Sequence, residues 1–332
     1  MRIFLYEFVS GGGFFHPSLD TVPCGSLLTE GLAMFKAIYD DISRIDGVEV
    51  VATRDSRLPN DGKTSRCEVV NGYDLMQLSE IASASDFSLL IAPEFDSHLH
   101  RIAEHFEKDG RKLLGPNAKF IQLTSNKSAT AEFLSAAGVP VPAGETIPIG
   151  ETLSPSTQFP VVKKVNDGAG SMGEVVESWN SKTYEQLMRV EPFLHGTPCS
   201  QSFLCRSGAE PIACPPMEQH IANDGSLMYL GGERLSDERH AARAQEIALA
   251  AIKKLAPTIG YVGVDLILGD CEDGSDDYVL EVNPRLTTSY LGIRELSEQN
   301  LAQAMLDIAI GNEPTVSFSR KAVRFDAAGT IL

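Results

Sequence analysis

Apolar residues in the first third of the chain alternate between short continuous runs and helical stripes. Ile3, Phe4 and Leu5, with Phe8 and Val9 behind them, form a run that predicts a buried strand. Leu28, Leu32, Phe35 and Tyr39 then recur at helical spacing and predict a helix over SLLTEGLAMFKAIYDDISR. VEVVATRD, FSLLIAPE and RKLLGP predict three further strands, with SEIASAS and HLHRIAEHFEKDG as the helices between them. Short βα repeats of this kind imply a parallel sheet covered by helices, in an α/β unit that should end near Pro116.

The pattern then changes. TSNKSATAEFLSAAGVPVP predicts a helix capped by Thr124 or Ser125, stopped by Gly138 and barred from resuming by Pro140. FPVVKK and EVVES read as two strands joined by a glycine-rich tip, which makes a hairpin. SDERHAARAQEIALAAIKKLAP predicts a helix capped by Ser236, with Lys253 and Lys254 in its last turn, where the macrodipole favours them. YVGVDLIL and DYVLEV read as strands joined by an acidic turn, and a final helix is expected around ELSEQNLAQAMLDIAIG.

Composition narrows the classes. A chain of 332 residues has room for two or three structural units, and 43% hydrophobic residues suit an ordinary globular protein. No apolar run approaches the roughly 20 residues of a membrane span. The first residues carry no basic segment with a small-residue cleavage site, so a cytoplasmic protein without membrane partners is expected. The six cysteines form no CxxC pair and read as free thiols. A formal net charge of -17 without clustered Lys and Arg argues against nucleic acid as a partner and leaves small-molecule substrates.

Two glycine clusters invite a phosphate. Gly11, Gly12 and Gly13 follow the first strand, as a phosphate loop would. Gly168, Gly170 and Gly173 match G-x-G-x-x-G, yet a strand follows them where a dinucleotide fold requires a helix. A glycine hairpin can still fold over phosphates and offer backbone N–H groups; a flexible turn is the plain alternative. Asp265 and Glu281 sit in apolar runs on adjacent predicted strands, and Asn283 shares a face with Glu281. Two acids and an amide oxygen make a hard oxygen site suited to Mg²⁺. Solvated sheet residues would also carry acids, but an unpaired carboxylate among apolar neighbours costs several kcal/mol.

Together these motifs resemble the ATP-grasp superfamily: Asn126-Lys127, then K-x-x-D-G-x-G-S-x-G from Lys164 to Gly173, E-x-F-x-x-G from Glu191 to Gly196, G-V-D, and E-V-N-P-R. The match runs from about residue 116 to 292. The resemblance implies an ATP-grasp fold with an N-terminal parallel βα domain, pre-ATP-grasp and Rossmann-like. It divides the chain into 1–118, a lid subdomain at 119–190 and a large subdomain at 191–332 with the metal site. It also implies a carboxylate–amine ligase in which ATP phosphorylates an acid and an amine displaces phosphate. Lys127, Lys164 and the hairpin residues Gly168, Gly170, Ser171 and Gly173 would hold ATP, with Glu191 to Phe193 as the adenine hinge. Lys127 opposes the macrodipole of its own helix, which an anion would explain. Asp265, Glu281 and Asn283 would hold Mg²⁺ or Mn²⁺, and Lys164 and Arg285 would act in catalysis, Arg285 on the acyl phosphate.

The sequence departs from the superfamily at two positions. Pro198 stands where many members have a ribose-binding glutamate, and Gly263 where many peptide-type ligases have an arginine. Arg234 is the candidate replacement for that cation. NPRLTTSYLGIREL and YEFVSGGG are similar to one branch, the tyramine–glutamate ligases of methanofuran assembly, a cofactor biosynthesis, and their methylotroph relatives. That likeness implies that Thr287, Thr288 and Ser289 contact an amino-acid carboxylate. The opening glycines then become a close backbone approach to the substrate, with Glu7 pairing its ammonium and Tyr6 and His16 nearby. A homodimer is compatible with this reading. Another ATP-grasp ligase, a non-catalytic nucleotide-binding relative, and an NAD-dependent oxidoreductase using Asp55 are the alternatives.

Overall fold

The computed structural model describes residues 1–15, 22–59, 67–70, 74–168 and 173–332. Strands β1 (Arg2–Glu7), β2 (Glu49–Asp55), β3 (Glu68–Val70) and β4 (Phe87–Ile91) form a parallel sheet in the order β3-β2-β1-β4. Both faces of β1 are buried, which is why its sequence is continuously apolar. Ile3 and Leu5 pack toward helix α1 (Ser26–Ser43), whereas Phe4 and Tyr6 meet α2 (Leu75–Ala82) and α3 (His98–Lys108) on the other face. RKLLGP, expected as the fourth strand, makes only one bridge, Leu113 opposite Ser88. β3 fills the fourth place instead.

A further helix, α4 (Ala118–Thr124), precedes the predicted one, α5 (Lys127–Ala136). Its cap is neither Thr124 nor Ser125: the Asn126 side chain accepts the Ala129 N–H at 2.9 Å and starts α5 at Lys127. β5 (Glu145–Ile147), β6 (Val161–Val165), β7 (Gly173–Val176) and β8 (Met188–Pro192) form a small antiparallel sheet in the order β5-β8-β6-β7. Lys164 lies opposite Gly173, so the glycine motif is a hairpin as expected. Its tip residues Gly170 and Ser171, like His16, lie outside the described residues.

The remaining strands form a larger antiparallel sheet. They are β9 (Thr197–Cys205), β10 (Ile212–Ala213), β11 (Met217–Ile221), β12 (Tyr229–Arg234), β13 (Gly260–Leu268), β14 (Tyr278–Asn283) and β15 (Arg324–Asp326). Their order is β14-β13-β9-β11-β12-β15, with β10 beside β9. Helix α6 (Glu238–Lys254) covers one face through Ala244, Ala248, Ala251 and Ile252. Its cap is Asp237 rather than Ser236, accepting the Arg239 and His240 N–H groups. A separate helix, α7 (Tyr290–Leu296), ends within ELSEQN, and the expected final helix, α8 (Leu301–Ile310), starts only where Asn300 caps it. Both pack with α1, and the Arg294 guanidinium forks onto Asp41 at 2.6 and 2.9 Å. No helix among the described residues is long and apolar enough to cross a membrane.

Candidate active site

The antiparallel pairing of β13 and β14 places Asp265 directly opposite Glu281 and Gly263 opposite Asn283. Asp265 accepts the Gln219 side-chain amide at 3.0 Å and the Asn283 amide at 2.9 Å, which leaves the Asn283 Oδ1 as a further acceptor. The Lys127 ammonium pairs with Glu281 and donates to the Gly168 carbonyl at 2.9 Å. Burial, together with the Glu281 charge, pushes the Asp265 carboxyl up. Burial works against the Glu281 charge too, but Lys127 and Lys164 outweigh it and hold that carboxyl down. Burial likewise opposes the Lys127 charge, and Glu281 reverses the effect and raises it. Two adjacent carboxylates and an amide oxygen fit Mg²⁺, whose charge would offset the pair.

These acids form the junction of two cavities. The first is a cleft of about 180 Å³ between the small sheet and the large one, bounded by Lys127, Lys164, Gly168, Gly173, Phe193 and Leu194. Its walls are largely apolar, with Val162 and Val165 facing Ile267 and Leu280. The Lys164 ammonium sits 2.8 Å from Glu191, whose other oxygen meets Arg189 at 2.6 Å. Glu191 therefore serves this cavity with a side chain that fixes Lys164. Its carboxyl stays low because the two cations overcome its burial. The Phe193 N–H donates to the Pro160 carbonyl at 3.0 Å, and both Phe193 and Leu194 line the cavity. Pro198 borders the same space.

The second cavity, about 100 Å³, lies between the parallel sheet and the large one and shares Gln219, Asp265 and Glu281 with the first. Arg285, Thr287, Thr288 and Ser289 line it. The Arg285 guanidinium forks onto Glu94 at 2.9 and 3.1 Å. That buried acid follows β4, so the pair joins the N-terminal sheet to the site. Burial weighs against the Arg285 charge, and Glu94 more than restores it. Thr287 accounts for Gly263: a Cβ there would lie 2.8 Å from the Thr287 methyl, so no arginine fits. The Thr287 hydroxyl meets Tyr261 at 3.0 Å and Ser289 meets Ser200 at 2.7 Å, which fixes both rotamers.

Three expectations fail here. Gly11, Gly12 and Gly13 line neither cavity. They serve a tight turn: a Cβ on Gly11 would fall 2.4 Å from the Glu7 carbonyl, and Gly12 has φ 95. Glu7 does border the second cavity, but its carboxylate is spent on that turn, accepting the Val9 N–H at 3.1 Å and the Ser10 N–H and hydroxyl at 2.7 and 2.6 Å. Arg234 lies outside both cavities and turns toward Glu238 at 3.7 Å and the Arg320 carbonyl at 3.3 Å. Sequence reasoning missed Glu30, Glu94, Gln219 and Tyr229, which only tertiary structure brings to the site.

Known proteins are similar to this chain. Residues 124–289 match the ATP-grasp domain and residues 48–121 the pre ATP-grasp 3 domain. The tyramine–L-glutamate ligase of Methanocaldococcus fervens is 25% identical over 89% of this chain and 92% of its own length. That of Methanocaldococcus jannaschii is 25% identical over 90% of this chain and 88% of its own. The biotin carboxylase of Campylobacter jejuni, solved as a complex with β,γ-ATP, superposes with a TM-score of 0.72 at 18% identity, covering 97% of this chain and 74% of that one. The chain belongs to the ATP-grasp family of ligases, enzymes that use ATP with Mg²⁺ to form C–N bonds and release ADP.

Proposed function

We propose that the protein joins the γ-carboxylate of glutamate to tyramine or a similar primary amine through an acyl phosphate. The observation that carries this reading is the junction of the two cavities at Asp265, Glu281 and Gln219. ATP fills the first, with its purine between the apolar walls and its phosphates toward Lys127 and Lys164. The acid and the amine fill the second. Asp265, Glu281 and Asn283 would hold Mg²⁺, which supplies charge neutralisation at the phosphates. The γ-phosphoryl group passes to a carboxylate oxygen and ADP departs. The amine, its ammonium proton given up to water, bonds the acyl carbon through nitrogen as the C–O bond to phosphate breaks, and its second proton leaves with the phosphate. Arg285, held in place by Glu94, stabilises the negative charge that develops on the acyl oxygen. Thr287, Thr288 and Ser289 offer hydroxyls to the α-carboxylate of glutamate. The similarity to tyramine–L-glutamate ligases over most of both chains supports this substrate pair. On this reading residues 1–118 supply the Glu94 wall, 119–190 the lid over ATP, and 191–332 the metal strands.

Purified protein with ATP, Mg²⁺, glutamate and tyramine should release ADP and phosphate in step with the amide. No turnover above the background with ATP alone would exclude the pairing. Amide formation from other acids or amines only would move the protein to another ligase of the family.

A further inference from the structure

The second cavity has two walls of unlike chemistry. Hydroxyls and Arg285 occupy the side formed after β14, whereas Leu27, Met34, Ile91 and Pro93 make the facing side apolar. One acid stands in the apolar wall. Glu30 lies on the α1 stripe Leu27, Glu30, Gly31, Met34, whose spacing turns all four toward the cavity. The other acids nearby are committed: Glu7 to its turn, Glu94 to Arg285, and Glu281 to Lys127. Among the described residues, Glu30 accepts no hydrogen bond and closes no ion pair. Burial pushes its carboxyl up to about 7, against the pull of the Arg285 guanidinium. A carboxylate placed so, half-buried in an apolar wall and with no hydrogen-bond or ion-pair partner, is favoured when a ligand brings the opposite charge.

We infer that Glu30 is the counter-charge for the ammonium of the amine substrate, and that the apolar wall beside it takes that amine's hydrophobic body. The site then selects a primary amine with its charge at one end of an apolar or aromatic skeleton. It delivers the nitrogen, once the ammonium has passed one proton to water, from the α1 side toward an acyl group held at Arg285. Glu30 thereby takes the part that the opening sequence motif assigns to Glu7. The inference rests on the ligase reading given above.

The test separates the two. Wild-type protein and Glu30→Gln are given ATP, Mg²⁺ and glutamate with either of two nucleophiles: tyramine, an ammonium at neutral pH, or hydroxylamine, which is uncharged there. The ratio of amide to hydroxamate should fall at least tenfold in Glu30→Gln. The tyramine KM should rise, the ATP KM should stay within twofold, and Glu30→Asp should recover part of the amide. An unchanged ratio would overturn the role of Glu30 and leave the ligase standing. An equal loss of both products would also overturn it, since Glu30 would then serve the acid or the fold. Absence of hydroxamate in the wild type would overturn the ligase reading, and this inference with it.

Discussion

Glu94→Gln removes the charge opposite Arg285 and keeps the shape of the side chain. In the native protein both groups are withdrawn from water, with side-chain exposures of 12% for Arg285 and 6% for Glu94. Removing one partner from a fully buried ion pair costs about 3–5 kcal/mol, because the other charge stays desolvated and alone. Arg285 borders a cavity and still feels Glu281 and Glu30, so the loss should fall below that range, at about 2–3 kcal/mol. A double-mutant cycle with Arg285→Gln isolates the pair. Urea unfolding should show a coupling energy of about 2 kcal/mol with an unchanged m-value. The same variant should lower kcat about 10- to 100-fold, or about 1.4–2.7 kcal/mol, since the guanidinium loses its orientation. Its effect on the ATP KM should be small, because Lys127 and Lys164 keep their own partners, Glu281 and Glu191. Coupling below about 0.5 kcal/mol, or a kcat equal to wild type, would refute the positioning role.

Three further outcomes follow from the geometry. Gly11→Ala should lower stability by roughly 1–3 kcal/mol, because its Cβ meets the Glu7 carbonyl and the Thr53 hydroxyl, and it should leave the ATP KM unchanged; thermal melts and steady-state kinetics check both. Glu30 has a folded pKa of about 7 against 4.5 unfolded, so the folded state binds more protons between those values and the stability it contributes is lost as pH rises through them. Glu30→Gln should then stabilise the protein at pH 8, by at most roughly 3 kcal/mol, and do nothing at pH 4; the reverse trend in urea titrations would contradict it. Glu281→Gln should cut phosphoryl transfer to the acid at least about 100-fold, equivalent to about 2.7 kcal/mol, where a binding protein without chemistry would be indifferent.

The metal strands were legible because their chemistry conflicts with their context. Carboxylates at Asp265 and Glu281 inside apolar runs need a reason, and β13 and β14 bring them opposite one another as the spacing required. Lys127 was legible for the same cause, as a cation at the wrong end of a helix. The N-terminal glycines were misread because a glycine run states only that the backbone needs room. Whether a ligand or the chain's own Glu7, Phe8 and Thr53 fills that room depends on tertiary packing. Glu30 looks like any helical acid, and Glu94 lies 191 positions from the arginine it holds, so neither carries a local signal. RKLLGP had strand composition, but Gly115 and Pro116 end its pairing after a single bridge. The last helix starts at Leu301, later than ELSEQN suggested, because the Asn300 side chain caps it there.

The central claim is that ATP in one cavity activates a carboxylate in the other, across Asp265 and Glu281. Glutamate labelled with ¹⁸O in its γ-carboxylate tests it most directly. If an acyl phosphate forms and tyramine then displaces phosphate, one labelled oxygen per turnover appears in the inorganic phosphate and the other stays in the amide. Amide formation with unlabelled phosphate would contradict the account.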